Sequence, residues 1–272
     1  MERMVRRWPS MTEEEVQRLF DTASPEEYAH GGLGEGVYAF PYAESLVGKS
    51  FRFLFPEGRE VSYYLEALHT LVWEEGGEKH CEFYQGHEPE PGVYFVQHTC
   101  HGSVPPRART LVIDAENGLV TLCEAKFGNG VEAREIAHQF SFGRVDGSPD
   151  PGYRHHLTSR LVGKAIYWTY HESMPPIKHI YSSEYYYTYV MKMGDRCWMA
   201  SNPADFVQIR DNLFIFSFLE ERQAGTQGFF LINLDTLRDV GSFLGINSEG
   251  KFESYTVGAK GEETTMYTYL SE

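Results

Sequence analysis

The feature that most constrains this chain of 272 residues is that it rhymes with itself. SLVGKSFRFLF at 45–55 aligns with RLVGKAIYWTY at 160–170, an offset of 115 residues. PGVYFVQHT then matches DNLFIFSFL, and TLVIDAENGLV matches FFLINLDTLRDVG, in the same order. Three ordered matches indicate a duplicated unit, so the fold must be one that a chain can build twice.

Each copy has the texture of an antiparallel meander. Runs such as SFRFLF, EVSYYLEAL, GVYFVQHT and GLVTLCEAKF are rich in β-branched and aromatic residues, and PEG, EEGGE, EPEPG and ENG turns separate them. A meander of about seven strands removes its unpaired edges by curling into a small barrel. The mouth of such a barrel can hold one small ligand. The predicted fold class is therefore all-β, with tandem antiparallel β-barrels at 41–143 and 157–272, separated by the polar GRVDGSPDPGYRHH segment. A sandwich in which both units share one core is the alternative. Residues 1–40 read as a helical N-terminal arm: Thr12 with Glu15, and Ser24 with Pro25 and Glu27, each carry the start signals of a short helix.

Charge narrows the partners. With 24 basic against 39 acidic residues, the net charge of −15 repels nucleic-acid phosphates and anionic lipids. Arg6, Arg7, Arg107 and Arg109 are too few and too diluted by acids to form a local exception. No nucleic-acid or membrane partner is expected. The chain has no secretory signal and no run of about 18 apolar residues, which predicts a cytoplasmic protein. Cys81, Cys100, Cys123 and Cys197 form no CxxC pair and read as free thiols.

The densest chemistry lies in HIYSSEYYYTY, residues 179–189. Read as one strand, it places His179, Tyr181, Tyr185, Tyr187 and Tyr189 on a single face, since alternate side chains share a side. Rings there supply apolar area and hydroxyls supply hydrogen bonds, which suits an aromatic or phenolic ligand. Tyr181, Tyr185, Tyr189, Trp168, Phe214, Phe216 and Phe218 are the candidate substrate-binding residues. Tyr187, Arg196, Glu220 and His179 are the candidate catalytic set. Arg196, if turned inward, would orient an anionic group or pair with Glu220. Glu220 ends the apolar face of NLFIFSFLE, and a partly desolvated carboxyl there would exchange protons with His179 or substrate. The plain alternatives are rings that merely pack between strands, a Glu220 that opens a solvated loop, and a structural His179.

His98 and Cys100 share a strand face, with His101 turned away. Two ligands are too few, so no metal is predicted. His155 and His156 read as surface residues of the linker. GxxxxGK[ST], GxSxG and HExxH are absent, and LGEG at 33–36 follows no strand, so no nucleotide or redox cofactor is expected. What remains is a cofactor-independent lyase or isomerase acting by proton transfer: decarboxylation, dehydration, isomerisation or cyclisation of an oxygenated or aromatic metabolite. The rival reading is a non-catalytic carrier of a hydrophobic metabolite. Oligomeric state is open, a homodimer included.

Taken together, LVGK (161–164), HIYSSEYYYTY (179–189), DRC (195–197), DNLFIFSF (211–218), LINLDTLRDVGSFLG (231–245) and TVGA (256–259) resemble the MoaF family. LVGKSF, PGVYFV and LVIDAENGLV extend the resemblance through the first half. It implies two lipocalin-like (calycin) β domains and an association with molybdenum cofactor biosynthesis, where an accessory role is a further possibility. The first half is also faintly similar to phenolic acid decarboxylases, calycin barrels that work without cofactor through tyrosines, an arginine and a glutamate.

Overall fold

The computed structural model describes residues 8–25, 28, 36–220 and 225–266. The first unit is a closed antiparallel barrel of β1 (Ser50–Leu54), β2 (Glu60–Ala67), β3 (Thr70–Glu75), β4 (Glu78–Glu90), β5 (Val93–Cys100), β6 (Arg107–Asp114), β7 (Leu119–Phe127) and β8 (Ile136–Val145). It has eight strands where about seven were expected, and β8 runs past the boundary expected at 143. Each strand pairs with its sequence neighbour, and β1 meets β8 to close the ring. Alternation then decides the core: Phe53, Val61, Tyr63, Leu71, Tyr94, Leu111 and Leu122 point inward and are buried.

Helix α1 (Glu13–Thr22) belongs to this unit and begins where the sequence placed it. Thr12 accepts from the Glu15 amide while the Glu15 carboxylate accepts from the Thr12 amide, a complete capping box. Val16 and Phe20 form its buried stripe, and Phe20 lies 6.0 Å from the His101 ring. The second helix start, at Ser24 to Glu27, runs into residues outside those described. His155 is buried, with Nδ1 2.8 Å from the Thr121 hydroxyl, which corrects its reading as a surface residue.

The second unit repeats the ring with β10 (Ala165–Thr169), β11 (Ile177–Ile180), β12 (Tyr186–Met193), β13 (Arg196–Gln208), β14 (Leu213–Glu220), β15 (Thr226–Asn233), β16 (Arg238–Ile246) and β17 (Phe252–Thr264). Pairings β12 to β13 and β10 to β17 close it, and the short β9 (His156–Leu157) pairs with β13. The tyrosine stretch is a hairpin, not the single strand expected: β11 ends at Ile180 and β12 opens at Tyr186. That break leaves Tyr181 and Tyr187 buried and turns Tyr185 out, 69% exposed.

The duplication is visible rung by rung. Phe51 faces Tyr63 as Ile166 faces His179, and Tyr63 faces Trp73 as His179 faces Tyr189. Further round, His98 faces Arg109 as Phe218 faces Gly228, and Arg109 faces Glu124 as Gly228 faces Phe243. The ring completes with Glu124 facing Gln139 as Phe243 faces Tyr255. One hairpin differs. Six residues lie between the facing pair Trp73 and His80, but ten lie between Tyr189 and Ala200. The β12–β13 hairpin is therefore longer by two rungs, and Arg196 sits at its tip opposite Met193.

Candidate functional site

Inside the second barrel the rings converge on Phe216. Its ring centroid lies 4.7 Å from Tyr187, 5.3 Å from Tyr181, 5.6 Å from His179 and 5.1 Å from Phe218. Trp168, Phe214, Phe216 and Phe218 are all buried, and Tyr189 is half-buried beside Tyr187. Trp168 Nε1 donates to the Tyr181 hydroxyl at 3.3 Å, so that tyrosine is tied to the wall.

Tyr187 is held differently. Asn202 Nδ2 donates to the Tyr187 oxygen at 3.4 Å and to Glu220 Oε2 at 3.1 Å. The Tyr187 hydroxyl thus acts as acceptor, and its own proton meets no acceptor among the described residues. Burial, and then the charge of Glu220, push the Tyr187 phenol well above its ordinary range, so it stays protonated. Burial lowers His179 to about 3 and keeps it neutral, with Nδ1 unpartnered among the described residues. His179 reaches the other two only by its ring contact with Tyr187, whereas Tyr187 and Glu220 are joined through Asn202, a residue that the sequence reading missed. Its signal was positional: Asn202 shares the inward face of β13 with Ala204 and Phe206.

Arg196 does not join them. Its side chain is exposed at the tip of the elongated hairpin, so the expected inward turn toward Glu220 is absent. Tyr185 is likewise outside the interior.

The first barrel holds a second polar group that the sequence reading dismissed as scattered charge. Arg109 stands on the inward face of β6 with Leu111 and Ile113, only 6% exposed. Its Nη2 donates to Glu75 and, at 2.8 Å, to Glu124; Arg59 bonds the same two carboxylates at 2.6 Å each. Burial pushes the Glu75 and Glu124 carboxyls up, but the two arginines outweigh it and hold them below the usual range. Arg109 lies 4.1 Å over the Trp73 ring, a cation–π contact, and His80 stacks on the same ring at 4.1 Å.

His98 uses both ring nitrogens: Nδ1 lies 3.0 Å from the Thr99 carbonyl and Nε2 3.1 Å from the Tyr63 hydroxyl. Because a carbonyl only accepts, Nδ1 carries the proton and Tyr63 donates to Nε2. His98 and Cys100 do share an inward face, but the His101 imidazole is 2.7 Å from Glu82 instead. Among the described residues no group of three potential ligands could hold a metal ion.

The fold defines a mainly β protein of two closed eight-stranded barrels. The chain belongs to the MoaF family: the MoaF N-terminal domain matches residues 27–129 and the MoaF C-terminal domain residues 155–266. That membership relates it to molybdenum cofactor biosynthesis. No curated protein matches the chain. Among the described residues no helix is long and apolar enough to cross a membrane.

Proposed function

We propose that the protein is a cofactor-independent lyase or isomerase whose second barrel moves a proton on an oxygenated or aromatic metabolite. The observation that supports this most is the Tyr187 hydroxyl proton, unclaimed inside an aromatic interior and wired through Asn202 to the Glu220 carboxylate. Tyr187 donates a hydrogen bond to an oxygen on which negative charge develops. Glu220 takes up or returns the proton, with Asn202 fixing its oxygen; neutral His179 borders Tyr187 at a ring distance of 5.3 Å. Since Arg196 is exposed, the substrate is oriented by rings and hydroxyls, which favours a ligand with little charge in this barrel.

The rival is a non-catalytic carrier or accessory protein of molybdenum cofactor biosynthesis, and family membership favours it. One experiment separates the two. Incubating the protein with a cell metabolite extract and following every species by mass spectrometry should show at least one consumed by the wild type. Tyr187→Phe and Glu220→Gln should still retain that species through gel filtration while no longer consuming it. Retention with no consumption by the wild type itself would remove the enzyme and leave the carrier.

A further inference from the structure

We propose that one open end of the first barrel is a second binding site, for a small carboxylate-bearing organic molecule held by Arg107, Arg109 and Trp73. A recess of ≈ 300 Å³ opens there, lined by Trp73, His80, Cys100, Arg107, Arg109 and Glu124 among others. That is the lower end of the range ligand sites occupy, about 300–1,000 Å³.

Two of the lining residues carry a buried donor that lacks an acceptor. Arg109 directs Nη2 at both Glu75 and Glu124, while among the described residues Nη1 has no partner and Trp73 Nε1 has none either. A buried donor left unmade is destabilising, so a ligand that brought oxygen atoms to these two residues, with a small shift of their side chains, would complete them. The charge for an anion comes from Arg107. It is two positions from Arg109 on the same face of β6, exposed at the rim, and makes no ion pair among the described residues. Arg109 and Arg59 are already balanced by Glu75 and Glu124, and Glu78, the other carboxylate lining the recess, lies 3.9 Å from His80, so an added carboxylate would draw on Arg107.

Among the described residues the second barrel has no counterpart. Gly228 stands where Arg109 does, and a Cβ there would lie 2.4 Å from the Phe218 ring. This site uses none of the residues assigned to proton transfer and is independent of that reading.

The test compares benzoate with its neutral isostere benzamide on the full chain by titration calorimetry and ligand-observed NMR. Benzoate should bind tighter than about 1 mM and benzamide about tenfold more weakly. Arg107→Ala should erase that preference, and Trp73→Phe should weaken both probes. Arg107 is exposed, so its variant tests the site even if Trp73→Phe disturbs folding. The proposal fails if benzoate does not bind, if the two probes bind alike, or if Arg107→Ala leaves the benzoate affinity intact.

Discussion

Asp239 shows how much a single buried carboxyl decides. It is 2% exposed, accepts from the Ala259 amide at 2.7 Å and from the Tyr170 hydroxyl at 3.3 Å, and burial outweighs both to raise it to about 7. The unfolded chain ionises this group near 3.8. Between those values the folded state keeps a proton that the unfolded state has lost, so stability falls as pH rises through this window and levels off above it. Asp239→Asn removes the titration and keeps an acceptor for the Ala259 amide. Its melting temperature relative to wild type should climb from pH 4 to 7, by the equivalent of roughly 2–4 kcal/mol, then plateau. A constant difference would mean Asp239 is ionised throughout. At this scale the sequence was only half legible. Tyr187, His179 and Glu220 stood out because tyrosines crowd one stretch and a carboxyl ends an apolar face. Arg109 and Glu124 did not, although each continues an inward apolar face, Leu111 with Ile113 and Val120 with Leu122. A lone charge on a strand reads as solvated unless the face it shares is followed.

Between elements, the two barrels keep one register and change what fills it. The inward positions that carry His98, Arg109 and Glu124 in the first carry Phe218, Gly228 and Phe243 in the second. Glycine is the device that admits the rings: a Cβ on Gly241 would lie 2.2 Å from Phe230, and neither Gly241 nor Gly228 needs a positive φ. The cost of substitution is therefore steric. Gly241→Ala should destabilise the second barrel by about 1–3 kcal/mol in denaturant melts. In a Phe230→Leu background the added methyl should cost measurably less, because the ring it strikes is gone. Equal costs in both backgrounds would show that the ring does not set the limit. The repeat made the tandem meanders legible, since β1, β5 and β6 preserve enough residues to align with β10, β14 and β15. It hid the rest, because a four-residue lengthening of the β12–β13 hairpin shifts the alignment just before Arg196. The turn at 182–185 was hidden as well: a run of tyrosines has strand propensity throughout, and only pairing decides where the strand stops.

For the chain as a whole, the balance of buried groups sets its response to acid. His87, His98 and His179 are all buried and lowered to about 4, 3 and 3, in each case first by burial. At pH 5 they are neutral when folded and protonated when unfolded, so complete unfolding takes up one proton at each. Asp239 works the other way and gives one up. The acids held low by arginine, such as Glu124, add a fraction of a proton each near their ordinary range, and Glu253, raised by burial, subtracts a fraction. The histidines dominate this sum. Unfolding at pH 5 should therefore bind about two protons, and stability should rise with pH from 4 toward 6.5. Calorimetric unfolding in acetate and in a buffer of larger ionisation enthalpy measures that number directly. Uptake near zero, or net release, would mean that these imidazoles are charged or solvated in the folded barrels, and the neutral His179 beside Tyr187 would go with them.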